Sequence, residues 1–194
     1  MSTSTKFLVA LIAIGWVLAL GGSIKNASGG ISERSEACLE TPEEAFTRAE
    51  YQLMVRYILQ HSSKPDVAMA QYKAGLYQKY ARQYDLPPVL LLAVGRTESN
   101  FNHEAESNKG AVGVMQIMPF WIKHLSFVES RDDLFQVEKN IHAGAYILRH
   151  YVDMCKSLTN AVTCYHGGPR ALTNPRPETL EYTTTVINRY KTMI

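Results

Sequence analysis

The 194-residue chain is 46% hydrophobic and 20% charged, the balance of one globular domain with a core of its own. No segment recurs at a fixed period and no long block of like charge occurs, which argues against a repeat array or a disordered charged tail. The formal net charge is +2, with Lys and Arg scattered rather than gathered in a stripe, so the chain carries no electrostatic footprint for nucleic acid, whereas a mildly basic surface suits an acidic polymer.

Lys6 precedes Phe7 to Leu20, fourteen residues without a charge, and the small residues Gly21, Gly22 and Ser23 follow. A basic start, an apolar stretch of ~7–15 residues and a small-residue exit describe a secretory signal. Cleavage after Gly21 places Ala19 and Gly21 where small side chains are wanted. An uncleaved anchor is the other reading: Phe7 to Ile24 supplies eighteen residues against the ~20 of a spanning helix. In both readings Lys6 stays inside and the remainder is exported to the periplasm, with membrane contact only through residues 7–24. The expected organisation is a signal peptide or anchor over 1–22, a Gly- and Ser-rich tether over 23–37, and one folded domain over 38–194.

Within that domain Thr41-Pro42-Glu43-Glu44 has the residues of a helix start, with Thr as N-cap, Pro at the first position and Glu three after the cap. The helix runs to about His61 with apolar positions at Phe46, Leu53, Val55, Tyr57 and Ile58, and a second covers Val67 to Tyr84. Asp85-Leu86-Pro87-Pro88 breaks the chain. From Val89 an unbroken apolar run predicts a buried helix of nearly three turns ending around Glu98. A polar loop over Ser99 to Asn108, a Gly-punctuated turn over Lys109 to Gly113 and a short extended segment over Val114 to Met118 follow, and Pro119 opens the next helix. Ile141, Ala145, Leu148 and Val152 make a core-facing stripe on a helix from Val137 to Met154. A short helix over Asn160 to His166 stops at Gly167-Gly168-Pro169. For Pro177 to Tyr190 the β-branched run Thr183 to Ile187 reads as strand, while the Pro177-Glu178 start and the spacing of Leu180, Thr184 and Ile187 favour helix. The predicted class is mainly α (α+β), with a small extended element near residues 110–118.

The three cysteines fit an oxidising compartment, where a Cys155–Cys164 disulfide would leave Cys38 unpaired; two buried free thiols are the alternative. No CxxC and no Cys/His spacing suggests zinc, so neither a metal nor a cofactor is expected.

Glu98 ends a strongly apolar helix and is followed by Ser99, Asn100 and Asn102. The negative end of the helix dipole and an apolar wall both disfavour the charged carboxylate, which is what a general acid at neutral pH requires. A solvated glutamate at a helix end is the plainer reading.

Glu98-Ser99-Asn100-Phe101-Asn102, followed by Ser107 to Gly113 and Val114-Met115-Gln116-Ile117-Met118-Pro119, resembles the soluble lytic transglycosylase family. The resemblance continues in Asn140-Ile141 with Gly144 and Tyr146, in Ala161 to Pro169 with Tyr165, and in Glu178-Thr179 with Tyr182, covering roughly residues 85 to 190. It implies a lysozyme-like, goose-type fold, with helices around a groove, and the cleavage of peptidoglycan glycan strands. Carried over position by position, it implies Glu98 as the lone catalytic acid/base. It also implies Ser99, Ser107, Gln116 and Met118 as substrate contacts and Tyr165 as the tyrosine above the catalytic carboxylate. Tyr146 and Tyr182 also fall in family motifs and are implied as substrate-binding residues. His166 stands where the family usually has Asn, so its part is a cleft contact or a helix-end role.

Most glycosidases use two carboxylates, and the motifs here offer one. In the family the muramic acid 6-hydroxyl is the nucleophile and a 1,6-anhydro end results. The competing expectations are a hydrolytic muramidase on the same fold, or a peptidoglycan-binding scaffold without catalysis. The implied partners are glycan strands and, by analogy, a complex for secretion, conjugation or phage penetration.

Overall fold

The computed structural model describes residues 40–194; the expected export segment, the tether and Cys38 lie outside them. Among the described residues six α-helices occur: α1 (Pro42–His61), α2 (Val67–Gln83), α3 (Pro88–Ser99), α4 (Val137–Cys155), α5 (Leu158–Gly167) and α6 (Pro177–Met193). Short 3-10 turns span Pro119–His124, Asp132–Phe135 and Pro169–Leu172. None of these helices is long and apolar enough to cross a membrane.

Side-chain caps start three of the helices. Thr41 accepts from the Glu44 amide while the Glu44 carboxylate accepts from the Thr41 amide, the reciprocal pair expected at α1. Asp66 caps α2 through the Met69 amide at 2.6 Å, and Ser157 caps α5 through the Asn160 amide at 3.1 Å.

α3 is the centre of the domain. Every residue from Val89 to Gly95 is buried, and the helix packs against α1, α2 and α6, while α4 packs on α2 and α5. Burial of so apolar a segment on all sides gives α3 its stability without any side-chain cap at its start. Gly95 is needed for the close approach of α2: a Cβ there would lie 1.9 Å from the buried Tyr77 hydroxyl.

The loop between α3 and α4 folds back on itself. Val112 bridges to both Glu106 and Ile117 in antiparallel fashion, with Val112 and Ile117 exchanging backbone hydrogen bonds of 3.0 and 2.9 Å. The extended segment expected over Val114 to Met118 is therefore two isolated bridges around a tight turn rather than a strand. Met115 and Ile117 are fully buried, and Gln116 and Met118 are half-buried on the other side, as the alternation implies.

Asn140 on α4 pins this turn. Its Oδ1 accepts from the Met115 amide at 2.7 Å, and its Nδ2 donates to the carbonyls of Val112 (2.9 Å) and Leu134 (2.6 Å). Gly113 sits against that amide group at φ +79°, and a Cβ there would be 2.4 Å from Asn140 Nδ2.

Several local expectations are corrected. Phe46 is 70% exposed, because the α1 face that meets the core runs through Met54, Val55 and Ile58. α6 is a helix, but Leu180 is 51% exposed and the buried stripe is Thr179, Tyr182, Thr183 and Val186. That face contains hydroxyls satisfied locally: Thr183 donates to the Thr179 carbonyl and meets the Thr163 hydroxyl across the α5–α6 contact at 3.1 Å. Pro119 opens a 3-10 turn, not an α-helix.

Cys155 and Cys164 are adjacent across α4 and α5 and stand as buried free thiols, the second of the two alternatives the sequence left open. Burial, with a hydrogen bond to Cys155, pushes the Cys164 thiol up to about 12, which disfavours its thiolate.

Asn140→Leu would leave the Met115 amide and the Leu134 carbonyl without their partner and remove one of the two hydrogen bonds to the Val112 carbonyl, at a cost of roughly 3 kcal/mol. The expected thermal midpoint falls by about 10 °C, read by calorimetry; an unchanged midpoint would show that Asn140 does not hold the turn.

Candidate active site

The last turn of α3 presents Glu98 to a cleft, and the chain then leaves the helix through two consecutive left-handed residues, Asn100 (φ 52°) and Phe101 (φ 62°). Such conformations persist in non-glycine residues only where surroundings enforce them. Here the Phe101 ring is fully buried and its carbonyl accepts from the buried Lys73 ammonium at 2.7 Å. Ser99 Oγ donates to the Val114 carbonyl at 2.8 Å, tying the end of α3 to the turn.

Tyr182 Oη donates to Glu98 Oε1 at 2.6 Å. Burial pushes the Glu98 carboxyl up to about 7, with the Tyr182 hydrogen bond acting in the opposite direction. Burial is thus the dominant influence, and the acid is substantially protonated near neutral pH. His166 stacks on the Tyr182 ring at 4.4 Å and 21°, and its Nδ1 lies 3.2 Å from Thr179 Oγ1, so it braces the phenol that holds Glu98. Burial, then the nearby Arg176 and Lys109, lower the His166 pKa and favour the neutral ring.

A cavity of about 240 Å³ in front of Glu98 is lined also by Ser107, Gln116, Met118, Tyr165 and His166. A second, of about 200 Å³, shares Gln116, Met118, Tyr165 and His166 and extends to Phe120, Trp121 and Tyr151, so the two form one groove. Ser107 Oγ accepts from the Ala111 amide (3.0 Å) and the Lys109 amide (3.3 Å), which leaves its proton available to the groove. Gln116, at φ 50°, is fixed by Nε2 donating to the carbonyls of Gly113 (2.9 Å) and Ala105 (3.2 Å). Glu98 is the only carboxylate among the residues lining this groove. A larger hollow of about 570 Å³ beside the start of α1 contains none of the motif residues.

The structure therefore brings Glu98, Ser107, Gln116, Met118 and Tyr165 to one groove, and places three other candidates differently. Tyr182 contacts the carboxylate itself, whereas Tyr165 Oη donates to the Met115 carbonyl at 2.9 Å while its ring lines the groove. The Ser99 hydroxyl is engaged by Val114 and does not line the groove, so its place is to hold α3 rather than to contact substrate. Tyr146 packs edge-on against Tyr84 at 6.0 Å, away from the groove, because its α4 face meets the end of α2. Sequence reasoning missed Lys73, Lys109, Trp121 and Arg176. A lysine in an amphipathic helix reads as solvated, and nothing local marks residues that converge only through the fold.

The family described as the transglycosylase SLT domain matches residues 75–186, more than half of the chain, and the chain belongs to that family. The transglycosylase of Enterobacteria phage PRD1 is 38% identical over 86 residues, 44% of this chain and 31% of the phage protein. Membrane-bound lytic murein transglycosylase C of Yersinia pestis (strain Pestoides F) is 37% identical over 108 residues, 48% of this chain and 30% of that protein. The chain thus spans about a third of the length of these relatives. Among solved structures, an inactive variant of the lytic transglycosylase Slt from Pseudomonas aeruginosa superposes with a TM-score of 0.60 at 23% identity, covering 78% of this chain and 29% of that one. The 70 kDa soluble lytic transglycosylase of Escherichia coli gives 0.57 at 21% identity with the same coverage. The fold is that of these lytic transglycosylases.

Because the folded pKa of Glu98 lies above its ordinary value of 4.5, the carboxyl costs no stability at low pH and a growing amount as pH rises from 4.5 through about 7. Glu98→Gln keeps an acceptor for Tyr182 and cannot ionise. It is expected to match wild type near pH 4 and to be more stable at pH 8 by on the order of 2 kcal/mol, a difference measurable by thermal denaturation at the two pH values. No gain at pH 8 would contradict the buried-acid environment.

Proposed function

We propose that the chain is a peptidoglycan lytic transglycosylase in which Glu98 acts as acid and then as base. The observation that carries this reading is the lone carboxylate of the groove, held by Tyr182 and pushed by burial to about 7. Family membership supports the reaction class, and the relatives, a phage transglycosylase and a membrane-bound lytic murein transglycosylase, support a murein substrate.

Tyr182 occupies Oε1, leaving Oε2 for proton transfer. The protonated acid donates to the glycosidic oxygen between N-acetylmuramic acid and N-acetylglucosamine, and the C1–O bond of the muramic unit breaks as positive charge grows at C1. The carboxylate so formed takes the proton of the muramic 6-hydroxyl, whose oxygen closes on C1. A 1,6-anhydro end is left, Glu98 is protonated again, and no water is consumed. The 2-acetamido group stabilises the cation. Ser107 and Gln116, fixed by backbone hydrogen bonds, are assigned as sugar contacts, with Met118 and Tyr165 as apolar walls. Residues 1–22 are assigned as signal or anchor and 23–37 as tether, which would place the domain in the periplasm for local wall opening or remodelling. A secretion, conjugation or phage-entry complex is assigned as the setting by analogy, and a relative from a phage is compatible with the last of these.

Mass spectrometry of digested cell wall should find muramic ends lighter by one water than hydrolytic ends; reducing ends alone would make the chain a muramidase. Glu98→Gln should lower wall lysis by roughly 10³-fold with fold and binding retained; undiminished lysis would refute the assignment, and binding without lysis by the wild type would make the chain a scaffold. Since the acid must enter protonated, turnover is expected to fall as pH rises through about 7.

A further inference from the structure

The groove is polarised along its length. Around Glu98 it is lined by two cations from separate elements, Lys109 in the turn after Ser107 and Arg176 at the N-cap of α6. Beyond Gln116 and Met118 it is lined by Phe120, Trp121 and Tyr151 and carries neither Lys, Arg, Asp nor Glu. Neither cation is neutralised by the groove. Glu98 is its only carboxylate, and a protonated Glu98 supplies no counter-charge. Lys109 makes no ion pair among the described residues. Arg176 meets Glu178 through Nε at 3.3 Å, with side chains 59% and 54% exposed, a surface pair of little strength that leaves both terminal guanidinium nitrogens unused. The backbone beneath Lys109 is fixed, its amide donating to Ser107 Oγ.

We infer that Lys109 and Arg176 form a carboxylate-binding subsite for the substituent that muramic acid carries on its 3-oxygen. The inference rests on the peptidoglycan reading above and names what the substrate must bring to that site. N-acetylglucosamine is neutral, whereas muramic acid bears a lactyl ether, either as a free carboxylate or amide-linked to a peptide stem with carboxylates of its own. A guanidinium and an ammonium converging on one cavity match a carboxylate, and the charge-free aromatic end matches the apolar faces of sugar rings. The strand would then be selected at the acid-bearing unit next to Glu98 and stacked at the other end.

The test compares wild type with the Lys109→Ala/Arg176→Ala double variant on peptide-bearing glycan strands and on amidase-treated strands that retain only the lactyl carboxylate. The Kd for a neutral N-acetylglucosamine tetramer is measured beside them. KM should rise about tenfold or more on at least one carboxylate-bearing strand, with kcat within about twofold and the neutral tetramer bound as before. Loss confined to peptide-bearing strands assigns the stem, and loss on stripped strands assigns the lactyl group. Lys109→Arg should retain most of the affinity. A KM change below about twofold on both strands, or equal weakening for the neutral tetramer, would overturn the inference. Should the wild type release no anhydro ends, the proposed reaction fails on its own. The same affinities measured on Glu98→Gln with and without the two cations would still decide the subsite.

Discussion

The arrangement turns on a half-buried carboxylic acid at the end of a helix whose Val89 to Gly95 stretch is buried on every side. α3 can run through the middle of the domain because Val89 to Gly95 present no polar side chain to it. Where the helix ends, its last turn emerges at the groove and exposes one functional group there, the Glu98 carboxyl. Burial raises the energy of the ionised form, and a single phenol hydrogen bond from Tyr182 restores part of that loss. The balance leaves the group able to give up a proton and to take one back near neutral pH, which is the requirement for a residue serving as both acid and base.

Holding that carboxyl in place requires backbone that would not adopt its conformation unaided. Asn100, Phe101 and Gln116 all lie in the left-handed region, and the segments that contain them are held by bonds from elsewhere in the fold. Lys73 on α2 holds the Phe101 carbonyl, Ser99 binds Val114, and Asn140 on α4 holds Met115 and Val112. Three helices therefore converge on the few residues between Glu98 and Met118, and His166 extends the support through its stack on Tyr182. The groove is braced by these bonds where chemistry is proposed and differs in character along its length, cationic beside the acid and aromatic beyond it.

Much of this was legible in the sequence where one physical signal dominates. The α1 capping box, the apolar run of α3 and the alternation of Met115 and Ile117 with Gln116 and Met118 are local patterns, and local patterns survive folding. Errors came where a tertiary partner decides. The spacing of Leu180, Thr184 and Ile187 pointed to a helix without fixing its buried face, and it is the Thr179–Tyr182–Thr183–Val186 face, from which Tyr182 reaches Glu98, that turns inward. Ser99 and Tyr146 sit in family motifs yet face Val114 and Tyr84 instead of the groove. Lys109 and Arg176, far apart in sequence, share a cavity only because the turn and the start of α6 flank the same end of α3. Between the two states the sequence left open for Cys155 and Cys164, the pair stands as neighbouring thiols.

The most direct test of the central claim is the titration of the Glu98 carboxyl by carbon-13 NMR, with Glu98→Gln used to assign the resonance. A midpoint near 7 is expected, moving higher in Tyr182→Phe because the phenol stabilises the charged form. A midpoint near the ordinary 4.5 would mean that the carboxyl is solvated and ionised at neutral pH, and the acid-then-base account would fail.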